Sequence, residues 1–230
     1  MATTERSVGP RLRIQCEAVL LFAQQGYAAT SIRDLARAVG LTNAGIYHHV
    51  ASKEDLLAGL MRTGHEELIQ STDLALKDVA DPVDRLALLI TSLTAIHARN
   101  PLTTRVMDGE LRSLTPGSAA LSEIIGLRDA YEDRWRQTLA DGVADGRFQV
   151  ADQRLTRLAL MSMCTGTSEW YRPDGDATLA RVCAEFVEIG LAAVRCAARP
   201  AARLDFTVLP EYPWEPHDAP HDPRPGQTRS

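Results

Sequence analysis

The chain has 230 residues, 45% of them apolar and 24% charged, with a net charge of −5. That is an ordinary globular composition, with length for one large core or two small ones. Four cysteines without CxxC or CxH spacing argue against a disulfide framework or zinc site, and no run approaches the roughly 20 apolar residues that span a bilayer.

Helical periodicity runs through the chain, and no convincing alternating strand pattern interrupts it. Ile14, Ala18, Leu21 and Phe22 predict an amphipathic helix over 11–25 that stops at Gly26. Ser31 and Asp34 form a capping box in front of the Ile32, Leu35, Ala36, Val39 stripe, which Gly40 ends. Thr42 caps a short third helix over 43–50, and Ser52 with Asp55 opens a long fourth one. Asp81-Pro82 and Asn100-Pro101 each set a capping residue before a first-turn proline, predicting helices over 82–99 and 101–113. Beyond "TPGS" (115–118) come a long helix to about Gly146, another over 152–170 and a last one over 178–198. Seven of the twelve prolines lie from Pro200 onward, so 199–230 reads as a disordered or loosely docked tail. Its His-Asp repeat, "PHDAPHDP" (216–223), is not expected to bind metal.

The fold class is therefore all-α, with three parts: 1–62, 63–198 and the tail. The first part carries seven Lys/Arg against five Asp/Glu, the remainder 18 against 25. A basic module on an acidic body hints at nucleic acid. Residues 31–50 have helix-turn-helix spacing, whose second helix enters a DNA major groove. Ile46 and Val50 would face the module's core. Asn43 can bond an adenine edge, and Thr42 can reach a phosphate or a thymine methyl. The small Ala44 and Gly45 let the backbone approach base edges. Ser31, Arg33, Tyr47, His48 and Lys53 complete the set expected to hold DNA. His48 and His49 diverge by about 100° on a helix and cannot share a metal as an i, i+4 pair does.

The run "GYAATSIRDLARAVGLTNAGIYHHVASKEDLL" (26–57) resembles the DNA-binding module of TetR-type regulators. The resemblance implies a homodimer with an N-terminal three-helix DNA-binding domain and a C-terminal helical domain for ligand binding and dimerisation. Its partners would be double-stranded operator DNA and a small-molecule effector. "LRDAYEDRWRQTLADGVADGRF" and "SEWYRPDG" resemble an actinobacterial branch governing steroid and fatty-acid breakdown, which implies an acyl-CoA thioester or other hydrophobic effector. Glu169 stands where that branch often carries a basic residue, and a carboxylate there would repel coenzyme A phosphates.

Met107, Leu111, Trp135, Leu139, Met163, Thr167 and Trp170 are the candidate ligand-binding residues, with plain core packing as the alternative. His97 reads as a satisfied core or surface histidine. Leu179, Val182, Cys183, Phe186, Gly190, Ala193, Val194 and Ala197 follow helical spacing and are expected to form, with the 155–170 helix, a symmetric four-helix dimer contact. GxSxG, HExxH, P-loop and dinucleotide motifs are all missing, so no enzyme and no cofactor are expected. A short apolar run at Ala18–Ala23 preceded by Glu17 is no signal-peptide core, and a cytoplasmic protein without membrane contact is expected. A helical ligand carrier or enzyme keeping the fold, or a DNA-binding protein without ligand, remain alternatives.

Overall fold

The computed structural model describes residues 9–216, and within them every regular element is helical. In chain order these are α1 (Pro10–Gln25), α2 (Ile32–Val39), α3 (Asn43–Tyr47), α4 (Lys53–Leu76), α5 (Pro82–Arg99), α6 (Pro101–Gly109), α7 (Ala119–Ala144), α8 (Gln153–Thr165), α9 (Thr167–Trp170) and α10 (Leu179–Ala193). Short 3-10 turns lie at Leu111–Ser113 and Phe206–Val208. Among the described residues no helix is long and apolar enough to cross a membrane.

The first three helices enclose Ile14, Ala18, Phe22, Leu35, Val39, Ile46 and Val50, the stripes that the spacing predicts. The Ser31–Asp34 capping box forms in both directions. Gly40 takes φ +71°, a left-handed turn residue that aims α3 away from α2. α4 begins in this module and runs on into the larger body, where Leu68 and Leu76 join the core.

In the body, α5 is the central helix. Nearly every residue from Pro82 to Ala98 is buried, because α4, α7, α8 and α10 surround it. α10 approaches α5 so closely that a Cβ on Gly190 would stand 2.3 Å from Ile90 Cδ1. Gly190 and Val182 therefore belong to the chain's own core, which removes both from the expected dimer face. The same holds for Cys183 and Val194. α10 also ends earlier than its spacing suggests. Arg195 turns the chain with φ +53°, and Val194 O accepts from Gln149 N at 2.9 Å. Ala197 is consequently outside the helix. The expected 152–170 helix is divided at Gly166 into α8 and α9. The four cysteines are free, and burial pushes the Cys164 thiol up to about 12.

The tail departs most from its composition. Tyr212 is fully buried and stacks on buried Trp214 with ring centroids 5.7 Å apart. Its hydroxyl donates to Gly64 O in α4 at 3.0 Å. The Glu215 carboxylate accepts from Leu102 N (3.0 Å), Thr103 N (2.8 Å) and Thr103 Oγ1 (2.5 Å). It thereby caps α6, while Asn100, the expected cap, makes no side-chain cap bond there and donates its amide to Ile96 O. Through Pro216 the tail is packed, not loose. The His-Asp repeat beyond it lies outside the described residues.

Candidate nucleic-acid interface and interior cavity

The surface of α3 is built by local capping. Thr42 Oγ1 accepts from Gly45 N at 3.0 Å, which fixes the helix start and leaves the hydroxyl hydrogen to donate outward. Ser31, Arg33, Thr42, Asn43, Ala44, Tyr47 and His48 are exposed on one side of the module. Tyr47 is 54% exposed, a large aromatic left without cover. A Cβ on Gly45 would meet only ordinary contacts at 3.4 Å, so the chain's own packing does not demand glycine there. No carboxylate interrupts Thr42–Val50.

Lys53 has an additional task. Its Nζ donates to Tyr27 O (2.8 Å) and Thr30 O (2.6 Å) and sits 4.0 Å from the Tyr27 ring centroid. Two of its three hydrogens tie the start of α4 to the α1–α2 turn.

Two further ties join the module to the body. Glu110, just after α6, accepts from Tyr27 N at 3.0 Å. Glu54 accepts from Thr115 N (2.7 Å) and Thr115 Oγ1 (2.8 Å). α6 also packs along α1.

Inside the body a cavity of about 260 Å³ opens between α4, α5, α6, α7 and α8, with Tyr212 of the tail in its wall. Leu68, Leu93, Ile96, Met107 and Met161 form its apolar side. The polar side includes His65, His97, Asp108 and Arg128, one from each of four helices, with Tyr131 and Glu132 also in the lining. His97 Nδ1 meets Leu93 O at 2.9 Å and its Nε2 meets Asp108 Oδ2 at 3.1 Å. Arg128 Nη1 lies 3.8 Å from Asp108 Oδ1. Desolvation pulls the Asp108 carboxyl upward. The His97 hydrogen bond and the charges of His97 and Arg128 outweigh it and hold the group below its ordinary value. Burial, only partly offset by the bond to Met61 O, keeps His65 below the usual imidazole range.

Of the expected ligand residues only Met107 lines this cavity. Trp135 and Leu139 are fully buried packing, one and two turns beyond the part of α7 that faces the space. Thr167 is buried against Thr94 O and Cys164 O. Leu111 and Met163 are half-buried against the core. Trp170 is 49% exposed and packs edge-on near Tyr171 and Phe186. The phase of α8 explains the miss, since Leu158, Met161, Ser162 and Thr165 turn inward and Met163 does not. Glu169 pairs with Arg105 at 3.1 Å and takes no part in the lining.

On the outside of α8 and α10, Leu155 (58% exposed) and Ile189 (51%) lie with exposed Ala184, Ala192 and Ala193. Leu179 and Phe186 are half-buried. Among the described residues no group of three His, Cys, Asp or Glu side chains is arranged to hold a metal.

Comparison with known proteins matches residues 17–60 to the model for bacterial regulatory proteins of the tetR family. Residues 79–194 match the tetracyclin repressor-like C-terminal domain. The HTH-type transcriptional repressor KstR2 of Rhodococcus jostii RHA1 is 28% identical over 190 residues, covering 82% of this chain and 92% of that protein. The crystal structure of the TetR family transcriptional regulator PfmR from Thermus thermophilus is 33% identical, with a TM-score of 0.68 over 81% of this chain and 100% of that one. AibR, solved in complex with isovaleryl coenzyme A and operator DNA, shares the fold at 23% identity, with a TM-score of 0.70 over 79% of this chain and 97% of that one.

Proposed function

This chain belongs to the tetR family of bacterial regulatory proteins, and from that premise we propose that it is a homodimeric repressor released from its operator by a small apolar effector in the α4–α8 cavity. One observation carries the reading. α4 and α6 each touch both the DNA-binding module and the cavity wall. α4 holds Lys53 at one end and His65 in the wall. α6 packs on α1 and brings Met107 and Asp108 to the cavity. A ligand that displaces either helix therefore moves the module. It shifts the population toward dimers whose two α3 helices no longer match successive major grooves.

At the interface, Asn43 reads a base edge, Ala44 and Gly45 allow close approach, and Thr42, Tyr47, His48, Ser31 and Arg33 hold the backbone. Lys53 orders the turn and offers its remaining hydrogen to a phosphate. The dimer forms through the exposed apolar face of α8 and α10 around Leu155, Ile189 and Ala193, and a two-fold axis there buries the face on both copies.

For the effector, the isovaleryl coenzyme A bound by AibR favours an acyl compound. The cavity, at about 260 Å³, takes an acyl group and leaves the nucleotide outside. A small uncharged compound is the second reading, favoured by the apolar side of the cavity. The experiment is direct. DNA enriched by the protein from its own genome is sequenced, and binding to the recovered site is titrated with salt and with candidate effectors. Salt-dependent, site-specific binding that an effector reverses supports the reading, and binding to no DNA would favour a helical carrier.

A further inference from the structure

The polar side of the cavity carries one cation, Arg128, that is one-third exposed and that the chain pairs only loosely, at 3.8 Å from Asp108. Every ionisable group facing it can be accounted for. Both ring nitrogens of His97 face acceptors, Leu93 O and Asp108 Oδ2. The His97–Asp108 contact therefore needs a proton between the two residues. Whether the ring or the carboxyl owns it, the pair is neutral overall. Glu132, also in the wall, is matched by Arg157 of α8 at 2.9 Å. The Tyr212 hydroxyl is spent on Gly64 O.

The Tyr131 hydroxyl, also in the wall, is buried beside Thr72 and Trp135 without a well-formed hydrogen bond, and two charged or titratable functions are left over. Arg128 lies 3.8 Å from the already matched Asp108, donates from Nη1 to Met107 O at 3.4 Å, and has no other partner among the described residues. His65 is 4% exposed, and its Nδ1 is engaged by Met61 O at 2.8 Å. A carbonyl only accepts, so the proton of the neutral ring is on Nδ1. Nε2 is then a bare acceptor without a partner among the described residues.

Resting on the reading of this cavity as the effector site, we propose that the effector is a small apolar carboxylic acid, its carboxylate held by Arg128 with His65 beside it. An anion balances the loosely paired guanidinium, whose planar donors fit a carboxylate. His65 Nε2 is an acceptor and receives no hydrogen bond from an ionised carboxylate, so the ring stays neutral beside the pair that the acid makes with Arg128. A neutral ester brings no charge. The hydrocarbon part lies against Leu68, Leu93, Ile96 and Met161. The cavity's size, about 260 Å³, suits a medium-length chain or a single ring, below the roughly 300–1,000 Å³ of drug-sized sites.

The test compares octanoate and 4-phenylbutanoate with their methyl esters and with octanoyl-coenzyme A, by calorimetry and by release of the operator. The acids are expected to bind and to release DNA, with the esters at least about tenfold weaker. Acid affinity should stay level through the neutral range, because the carboxyl is already ionised there. Arg128→Gln should weaken the acids at least about tenfold and leave the esters unchanged, while Arg128→Lys keeps most of the acid affinity. Operator binding and melting temperature without ligand serve as the folding control for both variants. Ester or thioester as effective as the acid, or an acid affinity indifferent to Arg128→Gln, would overturn the carboxylate and leave the effector site standing. If none of the three classes shifts the melting temperature or operator binding, both readings fall.

Discussion

Truncating Tyr212 measures how firmly the Pro-rich tail is part of the fold. The ring is fully buried, and a buried aromatic cut to alanine costs about 3–5 kcal/mol. Tyr212 stands in the wall of an existing cavity, so its removal widens a space that already exists. That sets Tyr212→Ala near the lower end, about 3 kcal/mol. Tyr212→Phe removes only the hydrogen bond to Gly64 O. That carbonyl is inside α4 and keeps its helical partner, so no orphan results and the cost is about 0.5–1 kcal/mol. Urea unfolding followed by far-UV circular dichroism, at one fixed protomer concentration, gives both values. The reasoning fails if Tyr212→Ala stays within about 0.5 kcal/mol of the parent, the level of a surface change.

Three more outcomes are expected. Asn43→Ala should relax preference at one base pair by about 1–3 kcal/mol, and a uniform loss across sequences would remove Asn43 from the groove. Ile189→Glu puts a charge on each copy near the two-fold axis and should give monomers in sedimentation; a stable dimer would locate the interface elsewhere. His65 is held below its ordinary value of 6.5 by burial. The unfolded chain therefore binds more protons, and stability falls as pH drops through that value. His65→Gln should flatten this slope in pH-dependent melting, and an unchanged slope would mean that another group sets it.

The DNA-binding module was legible because its information is local. The Ser31–Asp34 box, Gly40 at the turn and the burial of Ile46 and Val50 are each settled within a few residues and come out as expected, although α3 ends at Tyr47 and leaves Val50 beyond the helix. The task that Lys53 also performs was hidden, since its partners Tyr27 and Thr30 lie more than twenty residues away. The cavity was illegible for the same reason on a larger scale. His65, His97, Asp108 and Arg128 come from four helices and meet only after packing. The α8 stripe could be assigned in two phases, and Met163 follows the one that faces away from the cavity. Composition misjudged the tail because a Pro-rich segment can still dock through a few side chains. Glu215 caps a helix that starts more than a hundred residues earlier, a pairing without sequence signature. On α10, small residues suggested a partner helix, and Gly190 indeed allows a close approach, but to α5 of the same chain.

The most direct test of the central claim is fluorescence anisotropy on the operator recovered from genomic DNA, measured against effector concentration at fixed salt. Binding of one dimer per palindromic site should be reversed by an effector. Arg128→Gln should leave DNA affinity intact and weaken the response to octanoate. Tight operator binding that no octanoate, ester or thioester reverses would contradict the coupling through α4 and α6 and leave a DNA-binding protein without an effector.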